Sequence, residues 1–361
     1  MLPAPKYLEW ARRHYGRVRY DLASSGIPTA SPADFAIRPA LGQPDAWGRL
    51  RAAIARHNQV PPAEAAGVLG ASHGLWLGFT AMLDRGDEAL VEEPTYEPLL
   101  IAAEAAGASV RRFDRGPACR FQLDPERVIA AVTPKTKVVA ITNLHNPSGS
   151  RASDAAMRSI ARRLDAQGGF LFVDEIYAPF DDFVDRDGVF HLSARRLYGN
   201  IVTTGSLTKA YGLGPQRVGW LLGPEFVIER VISALIATVG ELPFVWMETA
   251  VSALERAFDL AVRGRRLLGN KRAKVGEWIA ERPGLTWSDP QAGLFGLAML
   301  RKDVDVRPAI AAGIGRHEVI VAPGFFFGIP NAFRLAWSLE ENLLAEALDR
   351  LERLLLEAGL L

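Results

Sequence analysis

Short apolar runs alternate with amphipathic stretches along most of the chain. The runs are apolar on both faces and end near turn-forming residues, as covered parallel strands do; they are Ala89–Val91, Lys137–Thr142, Phe170–Val173 and Ile201–Thr204. Apolar residues at helical spacing predict helices over Ser72–Leu83, Glu97–Ala106 and Ser153–Asp165. This alternation predicts an α/β fold with right-handed crossovers.

The pattern changes in the last third of the chain. Residues Val245–Glu281 contain no proline and predict one long helix or two shorter ones. Leucines line one face of Glu341–Leu356, which predicts a C-terminal helix. Further strands are predicted at Leu294–Leu300, Val319–Val321 and Ala332–Trp337. Together these elements indicate a second, smaller α+β domain.

The length of 361 residues exceeds what one hydrophobic core usually holds, so we expect two domains. We predict a large domain over residues 31–255. The small domain combines residues 1–30 with residues 256–361.

Composition and charge exclude several classes of protein. Hydrophobic residues make up 49% and charged residues 23% of the chain, which is typical of a folded globular protein. The net charge of +1 indicates no general affinity for nucleic acid or anionic membranes, so we expect neither partner. No apolar run approaches the ~20 residues that a membrane helix needs. Cys119 is the one cysteine, which excludes an intramolecular disulfide and fits a cytoplasmic protein.

Polar residues follow three of the predicted strands. An amide, a carboxylate, a phenol, a hydroxyl, an amine and a guanidinium come in succession, at Asn146, Asp174, Tyr177, Ser206, Lys209 and Arg217. Ligands of open α/β sheets bind beyond the carboxyl ends of the strands, so these groups are expected to converge. Each residue alone is weak evidence, but the set in this order and spacing is a specific signal.

These groups match what pyridoxal 5'-phosphate (PLP) requires. Its aldehyde needs a neutral amine, and a lysine pKa of about 10.4 must be lowered by burial or by nearby cations. Lys209 has Arg217 eight residues further on, across a loop rich in glycine. The phosphate needs N–H groups, hydroxyls and a bidentate cation. The ring nitrogen needs a carboxylate, and Asp174 leaves an apolar strand at a suitable position.

The motifs resemble those of the fold-type I, class I/II PLP-dependent aminotransferases, and the resemblance extends from Gly26 to Arg334. It implies a large domain with a mostly parallel, seven-stranded-type sheet covered by helices on both faces. It also implies amino acid and 2-oxo acid substrates, and a homodimer whose active sites lie at the interface. Lys209 would bind PLP as a Schiff base and move the proton between the substrate and the cofactor.

The resemblance implies further roles for the cofactor-binding residues. Asp174 would pair with the ring nitrogen, and Tyr177 and Asn146 would bind the phenolic oxygen. Tyr96 would stack on the ring. The phosphate would be held by Ala71, Ser72, Ser206 and Arg217.

Two residues are implied in substrate binding besides Asn146. Arg334 matches the arginine that binds the α-carboxylate, and Gly26 matches the glycine that lets this carboxylate approach the backbone. One position departs from the family pattern. A tyrosine that contacts the partner subunit's cofactor phosphate usually lies five residues before the glycine at Gly42, where this chain has Ile37. Arg38 is a hypothetical substitute.

The histidines show no paired metal-ligand spacing, so no metal site is expected. His145 adjoins Asn146, and we hypothesise that it influences the choice of substrate.

Two alternatives stay open. Lyases and cyclases of the same fold use the same lysine and aspartate, although Arg334 favours chemistry that keeps the substrate carboxylate. A serine α/β-hydrolase is the alternative from another class, because residues 70–74 fit the G-x-S-x-G motif. Its triad would be Ser72, Asp174 and either His191 or His317. The segment 65–69 looks like a poor strand, and the hydrolase leaves Lys209 without a role.

Overall fold

The computed structural model describes residues 4–181 and 192–361. Its strands are β1 (Tyr20–Asp21), β2 (Ala65–Val68), β3 (Glu88–Glu93), β4 (Ser109–Asp114), β5 (Thr136–Thr142), β6 (Phe170–Asp174), β7 (Ile201–Ser206), β8 (Gly219–Leu222), β9 (Leu285–Trp287), β10 (Phe295–Leu300), β11 (Val319–Ile320), β12 (Ala322–Pro323) and β13 (Ala332–Ala336). Its α-helices are α1 (Lys6–His14), α2 (Ala46–Asn58), α3 (Ala71–Met82), α4 (Glu97–Ala105), α5 (Pro125–Ala131), α6 (Asp154–Asp165), α7 (Glu225–Val239), α8 (Phe244–Glu255), α9 (Ala257–Leu268), α10 (Lys271–Ala280), α11 (Arg307–Arg316) and α12 (Glu341–Glu357).

In the described part of the chain, seven strands form the main sheet in the order β2-β8-β7-β6-β5-β3-β4. Strands β7, β6, β5, β3 and β4 pair in parallel, whereas β8 pairs antiparallel with β7 and with β2. Along β5, Val138 and Ala140 join one hydrophobic core while Val139 and Ile141 join another. Both faces of the sheet are therefore covered, and the predicted mostly parallel α/β fold is confirmed.

The predicted elements of this sheet are also confirmed, with shifts of one or two residues at their ends. Ser153 caps α6, because its Oγ accepts a hydrogen bond of 3.1 Å from the Ala156 N–H.

The description of residues 65–69 as a poor strand was wrong, because Ala65–Val68 is β2. Alanine and glycine form a strand here because helix α2 packs closely against it. A Cβ added at Gly67 would come within 2.6 Å of Leu50 Cδ2. Close packing, which is a tertiary effect, overrides the weak strand propensity of these residues.

The helical region that begins at Val245 also differs from its prediction. Instead of one or two helices, α8, α9 and α10 occupy it. The chain turns at Arg256, and again at Gly269, whose φ of +49° suits glycine.

The two ends of the chain pack together. Strand β1 pairs in parallel with β11, and strands β12, β13, β10 and β9 form an antiparallel sheet in that order. This arrangement is compatible with a small domain of residues 1–30 and 256–361, whose boundaries remain a prediction. Within residues 4–181 and 192–361, no helix combines the length and the apolar character needed to cross a membrane.

Candidate active site

A cavity of about 320 Å³ lies at the carboxyl ends of the parallel strands. Eight of the residues predicted from the sequence line it, namely Ala71, Ser72, Tyr96, Asn146, Asp174, Tyr177, Lys209 and Arg217. Ser206, Gly26 and Arg334 are not among its lining residues. Gly26 nevertheless packs on Lys209, because a Cβ at residue 26 would lie 3.4 Å from Lys209 Cδ.

One end of the cavity is built by the start of helix α3. Gly70 precedes this helix with a φ of +81°, a conformation that L side chains rarely adopt. A Cβ at Gly70 would also come within 2.5 Å of Arg217 Nη2, so glycine gives this guanidinium its room. The free N–H groups of a helix start and an adjacent arginine favour an anion at this end. Ser206 lies nearby at the end of β7, where its Oγ accepts a hydrogen bond of 3.2 Å from the Thr208 N–H.

Lys209 projects into the middle of the cavity. Burial lowers the pKa of its amine to about 8, with the charges of Arg334 and Arg217 acting in the same direction and Asp174 opposing them. Its Nζ lies 3.3 Å from Ser25 Oγ. A lysine with this pKa is neutral in an appreciable fraction of molecules near neutral pH, which suits a nucleophile or a proton carrier.

Asp174 shows the opposite shift. It is 2% exposed, and burial raises the pKa of its carboxyl to about 7, with the charges of Glu175 and Glu92 adding to the effect. A hydrogen bond of 3.1 Å from the Ile176 N–H and the charge of Lys209 oppose the shift. This carboxylate is therefore costly to ionise unless a cationic partner faces it.

Two of the predicted residues in the cavity wall, Tyr96 and Tyr177, are phenols. Burial raises the pKa of Tyr177 and of Tyr96 above the usual range, so both stay neutral hydroxyls. The Tyr177 ring packs edge-on against Phe295, with the ring centroids 4.8 Å apart.

Arg334 is fully buried behind Asn146, which lines the cavity. Its Nη1 donates to Asn146 Oδ1 at 2.7 Å. Its Nη2 lies within hydrogen-bond distance of Tyr7 OH, Tyr15 OH and the Ala23 carbonyl, at 2.7, 3.1 and 3.0 Å. The structure thus joins two predicted residues, Arg334 and Asn146, with two tyrosines that the sequence did not identify.

Helix α1 was missed as part of the site. It and the residue after it contribute Tyr7, Leu8, Ala11, Arg12 and Tyr15 to the cavity wall. The i, i+4, i+8 spacing of Tyr7, Ala11 and Tyr15 could have identified a buried helix face. No local pattern shows that this face covers the carboxyl ends of strands more than a hundred residues away.

A buried ion pair is connected to the backbone of Asn146 through Thr142. This pair was not predicted from the sequence. Arg115 Nη1 lies 2.7 Å from Glu92 Oε2, and both side chains are fully buried. Glu92 Oε1 accepts from the N–H and the Oγ of Thr142, both at 2.7 Å. Thr142 Oγ in turn accepts from the Asn146 N–H at 2.9 Å. This chain of contacts fixes the backbone on which Asn146 stands.

His145 does not fit its hypothesised role in substrate choice. Its Nδ1 pairs with Ser148 Oγ at 2.6 Å and its Nε2 pairs with the Pro94 carbonyl at 2.9 Å, and the ring is fully buried. Both nitrogens are therefore used by the structure. Burial lowers the pKa of this imidazole well below its usual value, so it stays neutral.

The histidines of the hydrolase alternative do not complete a triad in the described chain. His317 pairs with Glu357 at 2.9 Å, beside the C-terminal helix, and does not line the cavity that contains Ser72. His191 lies outside the described residues. Among the residues the structure describes, no group of three or more His, Cys, Asp or Glu side chains is arranged to hold a metal.

Comparisons with known proteins agree on one family. A family model described as aminotransferase class I and II matches residues 41–351. Capreomycidine synthase of Streptomyces vinaceus is 28% identical over 93% of this chain and 90% of its own length. Arginine–pyruvate transaminase AruH of Pseudomonas aeruginosa is 29% identical over 82% of this chain and 76% of its own. The crystal structure of the PLP-dependent cyclase OrfR superposes with a TM-score of 0.87 at 27% identity, covering 99% of this chain and 98% of that one.

Proposed function

Since the chain belongs to the class I and II aminotransferases, which use PLP to move an amino group between an amino acid and a 2-oxo acid, we propose that Lys209 is its catalytic residue. The observation that carries this proposal is the single cavity shared by Lys209, Asp174 and Arg217. It offers an amine, a carboxylate and a guanidinium, one for each reactive part of the cofactor.

The residues of the cavity fit PLP. The Thr208 hydroxyl is buried without a hydrogen-bond partner among the described residues, and it stands beside Lys209 where an anion would accept from it. The Gly70 turn leaves open the space that a Cβ would fill in front of Arg217. We propose that the phosphate binds here, on Ala71, Ser72, Ser206 and Arg217. Asp174 would gain the cationic partner that its raised pKa calls for, namely the protonated ring nitrogen.

The remaining residues orient the cofactor and the substrate. Tyr96 would cover the ring, while Tyr177 and Asn146 would donate to its phenolic oxygen. When bound, the cofactor supplies an electron sink that weakens the bonds at the substrate α-carbon. Lys209 Nζ, with its pKa near neutrality, removes the proton from that carbon. Arg334 binds the α-carboxylate, and Gly26 leaves room for it beside Lys209.

We propose that the second substrate-binding feature is Arg12, which favours an anionic side chain. Arg12 lines the cavity, and its guanidinium forms no hydrogen bond or ion pair with a described residue. Among the described lining residues Asp174 is the one carboxylate, and it is committed to the cofactor. A guanidino side chain, such as that of the substrate named for the arginine–pyruvate transaminase, would face a like charge here.

We also propose that the chain acts as a homodimer in the cytoplasm. Four apolar side chains at the end of α7 and the start of α8 are between 41% and 59% exposed, namely Ile236, Val239, Phe244 and Val245. This surface borders the phosphate end, since Trp246 Nε1 donates to the Gln216 carbonyl at 2.9 Å, next to Arg217. Arg38 is exposed beside α8 and would reach the partner's cofactor in place of the tyrosine that Ile37 replaces.

Reconstitution with PLP tests the role of Lys209. The purified protein should develop a near-violet absorption band, and borohydride should fix the cofactor to the peptide that contains Lys209. Lys209→Ala should lose both the fixed label and amino transfer, whereas Lys135→Ala, on the surface, should keep both. A label on another residue would refute the assignment.

The likeness to a PLP-dependent cyclase favours one second candidate, a cyclase or lyase of the same fold. Product analysis separates it from the aminotransferase. Amino transfer should consume a 2-oxo acid and return a new amino acid. Release of ammonia, or a cyclic product formed without any 2-oxo acid, would support the second candidate instead.

A further inference from the structure

Arg334 has hydrogen-bond partners but no anionic partner among the described residues. Its guanidinium is fully buried, yet no carboxylate of the described residues lies within 4.0 Å of it. Its partners are an amide oxygen, two phenols and a carbonyl, all neutral. A buried charge is normally paired with an opposite charge, so this site lacks an anion.

Counting donors shows which part of the guanidinium an anion needs. Nη1 has two hydrogens, of which Asn146 accepts one, and Nε is buried without a partner among the described residues. Nη2 has two hydrogens for three neighbouring oxygens, those of Tyr7, Tyr15 and Ala23. A bidentate carboxylate uses either Nη1 with Nη2 or Nε with Nη2, so both arrangements require one Nη2 hydrogen.

The Nη2 hydrogen that a carboxylate requires is shared by the two phenols. The backbone around the Ala23 carbonyl is fixed, since the N–H groups of Ala23 and Ser24 both donate to the carboxylate of Asp21. The tyrosines are held together by a hydrogen bond of 2.6 Å between their hydroxyls. They also form the wall between Arg334 and the cavity, which both of them line.

We propose that Tyr7 and Tyr15 occupy the carboxylate position of the substrate and are displaced from Arg334 when an amino acid binds. This inference rests on the proposed role of Arg334. A carboxylate gains charge-assisted hydrogen bonds that a neutral phenol cannot offer, and such bonds are roughly twice as strong. An amine without a carboxylate gains no such bonds with Arg334, so it binds without displacing the two tyrosines.

The neighbours of Tyr7 define what moves. Its backbone N–H donates to Glu97 Oε2 at 2.9 Å, and its ring packs on Phe326 and Phe327 with centroids 5.8 and 5.4 Å away. The phenolic oxygen lies on the long axis of the ring, so its departure from Arg334 requires the ring itself to shift against Phe326 and Phe327, while the backbone contact with Glu97 can persist. Burial raises the pKa of Tyr15 well above its usual value, so no phenolate competes with the substrate.

Removing the hydroxyls of Tyr7 and Tyr15 tests the proposal, because displacement predicts that binding of an amino acid becomes tighter, not weaker. In the PLP-loaded protein, spectral titration gives the dissociation constants of 2-methylalanine, which has an α-carboxylate but no α-hydrogen to lose, and of isopropylamine, which lacks the carboxylate. Tyr7→Phe with Tyr15→Phe should bind 2-methylalanine about 3- to 10-fold more tightly, the equivalent of one lost competing hydrogen bond. Isopropylamine should bind as it does to the unaltered protein.

Matched variants separate the possible failures. Tyr20→Phe loses a hydroxyl that bonds to Glu346 at 2.6 Å, outside the cavity, and should change neither constant. Weaker or unchanged binding of 2-methylalanine by the tyrosine variants would overturn the displacement. Arg334→Gln should strongly weaken the binding of 2-methylalanine. If it does not, the assignment of Arg334 itself is wrong, which is a different result from a failure of the tyrosines alone.

Discussion

At the scale of single residues, burial in one cavity shifts the pKa values of an amine and a carboxyl in opposite directions. Burial lowers the pKa of Lys209 to about 8 and raises that of Asp174 to about 7, so the two groups come within about one unit of each other. In water their values differ by more than six units. Near neutral pH each group can therefore exchange a proton at little cost, which a site for proton transfer requires.

The charge of Arg12 leads to a prediction about substrate choice. Arg12→Ala should lower kcat/KM for glutamate by about 3- to 10-fold relative to that for alanine, because a partly solvated ion pair is worth about 1 kcal/mol. Arg12→Glu should lower it further and improve the relative use of arginine. Steady-state kinetics with these three donors measure the effect.

Arg13 supplies the control for this measurement. It is exposed on the same helix but does not line the cavity, so Arg13→Ala should leave the ratio between donors unchanged. An equal response of both variants would mean that the general charge of α1 acts, and not a contact with the substrate.

The site residues predicted from the sequence follow recognisable strands, whereas the missed residues depend on contacts between distant parts of the chain. Lys209, Asp174 and Asn146 follow strands of one sheet, and the rule that strand ends converge was enough to group them. Tyr7 meets Arg334 across 327 positions, which no local pattern encodes. Arg115 and Glu92 form a buried pair between neighbouring strands, and in the sequence each looks like an ordinary surface charge.

At the scale of elements, the parallel strands place the site, while glycines let the elements approach each other. The apolar runs predicted β3, β5, β6 and β7 because their hydrophobic character is local. Strand β2 was missed, since its residues are small to fit α2 and not to favour a strand. The break between α8 and α9 escaped prediction because no proline or capping residue marks it at Arg256, whereas Gly269 and Asn270 after α9 are a helix-end signal that the prediction did not use.

The turn before α3 is the element whose loss should be most specific. Gly70→Ala imposes on alanine a backbone conformation (φ +81°, ψ 167°) that essentially only glycine adopts, at a cost of about 1–3 kcal/mol, and pushes a methyl group into Arg217. We expect the affinity for PLP to fall at least about 10-fold, since one charge-assisted bidentate contact is disturbed. The affinity for pyridoxal, which lacks the phosphate, should change little. Titration of the cofactor-free protein with both compounds measures this.

A substitution at Gly86 separates the effect of backbone strain from the effect of a methyl group that contacts Arg217. The φ of Gly86 is +96°, but a Cβ there would meet no atom within 4 Å. Gly86→Ala should therefore lower thermal stability without changing either affinity. If Gly70→Ala weakened PLP and pyridoxal equally, the turn would shape the whole cavity and would not be a phosphate site.

At the scale of the whole molecule, the charged groups of the site should cost stability until the cofactor binds. The folded pKa of Asp174 is about 7, above its ordinary value of 3.8. Between these values the folded state holds the proton more tightly than the unfolded state. The stability linked to this group is therefore complete below pH 4 and is lost as the pH rises through 7.

Asp174→Asn should remove this dependence in the cofactor-free protein. We expect the variant to melt higher than the unaltered protein at pH 8, by on the order of 5 °C, and the difference to vanish towards pH 4. Asp305→Asn should show a small change of the opposite sign, because Arg307 lowers the pKa of that carboxyl by a hydrogen bond. Scanning fluorimetry from pH 4 to pH 8 follows both. A difference independent of pH would mean that Asp174 acts through packing alone.

The exposed apolar surface leads to the last prediction, which concerns assembly. Side chains such as Ile236 and Val245 are more than half exposed, although burying them would contribute about 1.5–3 kcal/mol each. Val245→Glu should turn the proposed dimer into monomers in sedimentation velocity at micromolar concentration, because it would place a charge in the proposed apolar interface. The monomer should also bind PLP more weakly, since this surface borders Arg217 through the contact of Trp246 with Gln216. Phe258→Glu is the control, because Phe258 is also half exposed but lies on α9. If Val245→Glu stayed dimeric, this surface would not be the interface. If the unaltered protein were a monomer that binds PLP fully, the cofactor site would be complete within one chain, and Arg38 would have no partner site to reach.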